Sequence, residues 1–279
     1  MGLRSRKLAA QTVRYLILIA FAVVTFLPFW NMIVVSFKPF QFAMEYPPKL
    51  IPTGLTLANY KEAWTTGNFG HYFKNSFVIS IIATVGGTLV ACMLAFAVSR
   101  YRFAGRGFIF AVFIGSMMIP GITFIIPQYL LLKNLHLLNS YSGLILLYVT
   151  GAVPFHMFLF KGFFDEIPKE MEEAVIVDGG NRWTFFSRVA LQLSAPAIAT
   201  SVIMNFNGNW GEFLGALTFM SEPEKWTLPV AIRMLQGAHA TSYGLVFAAS
   251  IISMLPILVL FVSFQRFIIK GIAAGAVKG

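Results

Sequence analysis

The sequence predicts an all-α, polytopic membrane protein with six transmembrane helices, and three observations carry that prediction. Of its 279 residues, 57% are hydrophobic and only 11% are charged, against about 25% charged in an ordinary soluble domain. So much apolar surface exceeds what one water-facing core can bury, and the surplus must face lipid. Second, six stretches of 20 residues or more are almost free of charge, long enough to cross roughly 30 Å of hydrocarbon as helices. Third, Lys and Arg concentrate in alternate connecting segments, the signature of a chain that threads a membrane repeatedly.

The spans lie near 15–37, 75–99, 107–132, 137–160, 196–219 and 243–264, and all but the fifth lack Asp, Glu, Lys and Arg. The first is longer than the apolar core of a secretory signal and no small-residue cleavage site follows it, so it is expected to remain as an anchor. Residues 1–14 then form a short N-terminal segment and 15–279 the membrane domain. Pro28, Pro120, Pro127 and Pro154 fall inside spans, where proline is tolerated if neighbours satisfy the freed backbone, and they are expected to mark kinks.

Orientation follows from the basic residues. Arg4, Arg6, Lys7, Arg14, Arg100, Arg102, Arg106, Lys161, Lys169, Arg182, Arg188, Arg266, Lys270 and Lys278 fall on one side and the other seven on the opposite side. The richer side is cytoplasmic, and both termini with it. The formal net charge of +10 is therefore a topology signal, and nucleic-acid binding is set aside. Cys92 is the one cysteine and His71, His136, His156 and His239 show no ligand spacing, so neither a disulfide nor a metal site is expected. No GxxxxGK[ST] loop is present, which excludes ATP binding by that motif.

The segment 161–193 differs from its surroundings. It holds Asp165, Glu166, Glu170, Glu172, Glu173 and Asp178, six of the 11 acidic residues. Pro168 suits a first helical position, the glutamates complement the positive end of a helix dipole, and Gly179 or Gly180 suits a left-handed stop. A short helix results, with Met171, Ala174 and Val175 on one face. A second short helix over about 182–189 leads into the fifth span. One reading is an amphipathic pair lying on the membrane, with Trp183, Phe185 and Phe186 as its apolar contacts. The acids would be repelled by anionic headgroups, so a cytoplasmic protein partner that receives the helix in a groove is the other reading.

The run Glu173-Ala174-Val175-Ile176-Val177-Asp178-Gly179-Gly180, continuing through Phe186, Val189, Leu193 and Pro196, resembles the EAA loop of binding-protein-dependent ABC importer permeases. The whole chain is similar to the maltose-type, MalG-like carbohydrate permeases. Leu50-Ile51-Pro52, Leu57-Ala58-Asn59-Tyr60, Ile126-Pro127-Gln128-Tyr129, Leu137 to Tyr141, Trp210-Gly211-Glu212-Phe213 and the tail from Gln265 to Gly279 share in the resemblance. Val175, Gln192 and Ala195 depart from the usual alanine, proline and basic residue. The resemblance implies the type I ABC importer (MetI-like) permease fold in a bacterial or archaeal cytoplasmic membrane. It implies no cofactor in this chain, pairing with a second homologous permease subunit, and docking on two ATPase subunits that bind ATP and Mg. An extracytoplasmic binding protein would deliver a sugar. Met171, Glu172, Glu173, Ala174, Val175, Asp178, Gly179 and Gly180 are then the ATPase-coupling residues. Gln236, Gly237 and His239 are candidates for contact with the binding protein, although an ordinary outer loop is the other reading there. Gly275, Ala276, Val277 and Lys278 are placed at the ATPase interface.

Asn205, Asn209 and Glu212 have i, i+4, i+7 spacing within the fifth span. They either line a sugar path, since hydroxyls need donors and acceptors, or hold neighbouring helices together. An ion-coupled secondary transporter is the alternative function. It commonly shows an internal repeat and several intramembrane ionisable residues, whereas this chain shows no repeat and the one acid, Glu212.

Overall fold

The structure is a computed structural model that describes residues 3–39, 51, 54–65, 68–238 and 242–276, with side chains described over 10–39, 51, 54–65, 68–235 and 242–265. Among the described residues the regular structure is entirely helical. The chain divides into two compact units, Met1–Gly70 with Ile232–Met254, and His71–Ala231 with Leu255–Gly279.

In the first unit the long helix α1 (Leu3–Ser36) is tied off by the short helix α2 (Ala58–Thr65). The Asn59 side-chain amide donates to the carbonyls of Ser36 at 2.8 Å and Lys38 at 2.9 Å, satisfying acceptors that a helix end leaves open. Ser36 also bonds the Tyr60 hydroxyl at 2.8 Å. A Cβ at Gly244 would sit 2.6 Å from the Asn59 amide nitrogen, so only glycine lets the start of α13 (Tyr243–Ala276) approach this point.

The second unit is built on α3 (Phe69–Arg100), α4 (Arg106–Ser116), α5 (Ile125–Asn134) and α6 (Tyr141–Glu166). It continues through α7 (Lys169–Val177), α8 (Arg182–Phe185), α9 (Leu191–Leu193), α10 (Ala195–Gly211), α11 (Leu214–Phe219) and the start of α12 (Leu228–Ala238). Helices α4 and α10 pack on α6, and α11 packs on α5 and α6. Small residues permit the close crossings: a Cβ at Gly87 would lie 2.9 Å from Asn205 of α10 and 3.1 Å from Ala152 of α6. One apolar cluster centres on Phe96, whose ring lies 4.7 Å from Phe186 and 5.6 Å from Phe164. The other gathers Ile79, Leu132, Leu144, Ala216 and Phe219.

Among the described residues, four helices are long and apolar enough to cross a membrane: Ala10–Ser36, Phe69–Arg100, Tyr141–Glu166 and Tyr243–Gln265. Pro28 and Pro154 lie inside two of them without interrupting them. The third stretch of the sequence reading is broken between Ser116 and Gly121, the fifth is interrupted at Glu212 between α10 and α11, and a further bend lies just ahead of the fifth. Arg106–Ser116 and Gly121–Asn134 meet at 100°, and Arg182–Leu193 and Ala195–Gly211 meet at 75°. The first break falls at Pro120, whose backbone is extended (φ −57°, ψ 130°) and whose ring lacks the N–H that would continue the helix. The bend ahead of the fifth stretch falls at Ser194, just before Pro196 at the start of α10. Counting each bent pair as one span gives six.

Candidate functional site

The acidic segment folds as two short helices with defined ends. Glu170 and Glu172 occupy the first turn of α7, complementing its dipole. Pro168 is the cap residue, one position ahead of the first-turn place expected for it. At the far end the Gly180 N–H donates to the Val175 carbonyl at 2.8 Å and the Gly179 N–H to the Ile176 carbonyl at 3.0 Å. This is a Schellman closure. Gly179 takes φ +84° and is the left-handed stop. Gly180 is required for another reason: a Cβ there would lie 2.7 Å from Val175 Cγ1 and 2.8 Å from the Val175 carbonyl. Asn181 then caps α8, its Oδ1 accepting the Thr184 N–H at 2.9 Å. The expected second helix ends early, because α8 runs into a π-helical turn over Phe186–Ala190.

Each turn of α7 has an inner and an outer side. Val175 packs against the Phe96 cluster, and the Glu172 side chain is 12% exposed. Met171, Glu173, Ala174, Asp178 and Gly179 are exposed, and Val177 reaches 84%. The apolar face expected from Met171, Ala174 and Val175 is therefore corrected. Val175 turns inward, since 100° per residue carries it to the core-facing edge, and Val177 stands outside.

Glu172 is held by two arginines. Arg100 Nη1 lies 3.8 Å from one carboxylate oxygen and Arg182 Nε 3.4 Å from the other. The Arg100 Nη2 donates to the carbonyls of Phe164 and, at 2.7 Å, Ile167, two acceptors at the end of α6. Its guanidinium also sits 5.7 Å from the Phe185 ring centroid, and that of Arg182 sits 4.7 Å from Tyr101. A cleft of about 480 Å³ opens beside these groups, lined among others by Arg102, Arg106, Lys169 and Glu173. Sequence reasoning read Arg100 and Arg182 only as topology signals. No local spacing links Arg100 to Glu172; the one available hint was an arginine closing an uninterrupted apolar run.

Asn205, Asn209 and Glu212 do not form one helical row, a second correction. Helix α10 ends at Gly211 and Glu212 is extended (ψ 127°). Asn209 donates to Asn205 Oδ1 at 3.0 Å and to Thr84 Oγ1 at 3.2 Å. Glu212 instead accepts from Gly215 N–H at 2.7 Å, Ala216 N–H at 2.9 Å and the Tyr148 hydroxyl at 2.5 Å. It closes the joint between α10 and α11 and ties that joint to α6. Gln236 and Gly237 lie in the last turn of α12 with their side chains outside the described residues, and His239 lies outside them altogether. Gly275 and Ala276 end α13, also without described side chains, while Val277 and Lys278 fall outside. Among the described residues no group of His, Cys, Asp or Glu is arranged to hold a metal.

Residues 87–273 match the family described as binding-protein-dependent transport system inner membrane component. The chain belongs to this family. It is a permease component of the inner membrane and crosses it several times. It is 32% identical to the diacetylchitobiose uptake system permease protein NgcG of Streptomyces coelicolor, over 98% of this chain and 90% of that one. It is 33% identical to the trehalose/maltose transport system permease protein MalG of Thermococcus litoralis, over 94% of both. With the arabinooligosaccharides transport system permease protein AraQ of Halalkalibacterium halodurans it shares 32% identity over 95% of this chain and 96% of that one. In fold it is similar to a chain of a bacterial ABC transporter that imports the acidic polysaccharide alginate. The TM-score is 0.82 at 21% identity, covering 95% of this chain and 98% of that one. The architecture is accordingly the MetI-like permease fold.

Proposed function

We propose that the chain is one of two homologous permease subunits of an ATP-driven importer. In this reading it translocates a carbohydrate, an oligosaccharide or related sugar, delivered by an extracytoplasmic binding protein. The relatives named for diacetylchitobiose, trehalose/maltose and arabinooligosaccharides support a sugar cargo. An alginate transporter of the same fold has been crystallised with an oligosaccharide-bound periplasmic protein, which supports the delivery route. Family membership favours this reading over an ion-coupled secondary transporter.

The observation that carries the coupling role is the outer side of α7. Met171, Glu173, Ala174, Val177 and Asp178 are presented to solvent on a helix closed by a Schellman turn and anchored from behind by Glu172 and Val175. An exposed apolar strip with an acidic rim on a rigid helix fits a groove with basic edges on a partner. The partners are two ATPase subunits, which bind ATP and Mg and hydrolyse the nucleotide; this chain is non-catalytic and holds no cofactor. Gln236, Gly237 and His239 are assigned to the binding-protein contact, and Gly275 to Lys278 to the ATPase interface. Both termini lie in the cytoplasm. For Asn205, Asn209 and Glu212 the hydrogen bonding supports the helix-joining role over the sugar path.

The test is reconstitution of the purified complex in liposomes. Sugar uptake should require ATP, Mg and the binding protein, and Glu173→Lys should abolish stimulated ATP hydrolysis while the permease still inserts. Uptake driven by an ion gradient without ATP would overturn the proposal.

A further inference from the structure

We propose that Arg100 is the positioning residue that makes α7 move with the membrane helices, by joining the ends of α3 and α6 to Glu172. This rests on the reading of α7 as the coupling helix and names the part through which that helix acts.

Four contacts converge on one side chain that is only 5% exposed. Arg100 is the last residue of α3. Its Nη2 donates to Phe164 and Ile167 at the end of α6, where the Phe164 carbonyl also accepts the Ile167 N–H at 3.3 Å. Its Nη1 faces Glu172 at 3.8 Å, and its plane stands over Phe185 of α8. A planar guanidinium can serve these directions at once, which a lysine ammonium on a flexible stem cannot. Direct packing between α7 and α3 or α6 is slight by comparison, since Val175 is the one α7 side chain in the apolar cluster.

The joint is not saturated. Arg100 Nε is buried and has no hydrogen-bond partner, and 3.8 Å is longer than a charge-assisted hydrogen bond. The contact with Glu172 is thus the loose side of the joint, and the α6 carbonyls at Nη2 are the tight side. Arg182 holds the other Glu172 oxygen and keeps the carboxylate directed at the joint.

The experiment compares Arg100→Gln, Arg100→Lys and Glu172→Gln in the full complex, reading sugar taken up per ATP hydrolysed and normalising to assembled protein. The expected result is a roughly 2- to 30-fold lower ratio in Arg100→Gln and Glu172→Gln. The double variant should be no worse than the poorer single one, and Arg100→Lys should fail to restore the ratio. An unchanged ratio in both single variants, or full restoration by lysine, overturns the proposal. So does loss of assembly in both, which would assign the pair to folding alone. If the wild-type complex takes up sugar without ATP, the coupling reading itself has failed. If wild-type uptake is ATP-driven but the ratio survives in Arg100→Gln, only the role of Arg100 has failed.

Discussion

Adjacent residues of the acidic segment that look interchangeable in the sequence are held for different reasons. Gly179 and Gly180 are both natural helix stops, yet one is left-handed at φ +84° and the other is closed in by Val175. Gly179→Val should therefore cost about 1–2 kcal/mol through backbone strain, and Gly180→Ala about 1–3 kcal/mol through crowding. Thermal unfolding of the solubilised protein measures both. Val175→Ala should rescue Gly180→Ala in part and leave Gly179→Val unrescued. Glu172 and Glu173 diverge in the same way: the motif that made them legible says nothing about which one faces inward, because that depends on where the core lies. Glu212 was legible as an unusual acid, but its role was not. Its acceptors are used by Gly215, Ala216 and Tyr148, so Glu212→Leu strands three donors at about 1–3 kcal/mol each if they stay buried. Complex stability should fall, while uptake per assembled complex keeps its apparent affinity. A large rise in that constant would restore the sugar-path reading.

At the scale of elements, long apolar runs were legible wherever one helix uses the whole run, as with Phe69–Arg100 and Tyr243–Gln265. They misled where a run is shared by two helices. Composition carries no information on direction, so the 100° turn near Pro120 and the 75° turn at Ser194 are invisible to a hydropathy reading except as prolines. The π-helical turn over Phe186–Ala190 had no signal at all, since it arises from packing Phe185, Phe186 and Ala190 into the Phe96 cluster. Its entry, by contrast, rests on a local device. Asn181 accepts from both the Thr184 backbone and its hydroxyl, so Asn181→Ala should weaken the start of α8 by about 1 kcal/mol. Hydrogen exchange over residues 182–185 should then rise about fivefold while the α3 core stays protected; unchanged protection at α8 would show that tertiary packing alone holds it.

For the whole molecule, the bent pairs decide the topology, and parity makes that decision measurable. If each pair crosses the membrane, six spans place both termini on one side, with the 101–105 turn beside them and the 135–140 turn opposite. If α4 and α5 instead return to the side they came from, 102 and 136 share a side and the termini part company. The distribution of Lys and Arg favours the first arrangement, because Arg100, Arg102 and Arg106 cluster before α4 while only Lys133 lies near the turn after α5. The single cysteine simplifies the experiment. Cys92 is buried and its replacement by alanine removes the background label. In that variant, Arg102→Cys and Ser5→Cys should react with a membrane-impermeant maleimide only from the cytoplasmic face, and His136→Cys only from the outer face. Labelling of 102 and 136 from the same face would make the α4–α5 pair a re-entrant hairpin, and would leave five crossings, with the acidic segment on the side opposite the N-terminus. An ATPase could then not reach α7 from the compartment that holds residue 5, so this single labelling pattern would overturn the topology and the coupling role together.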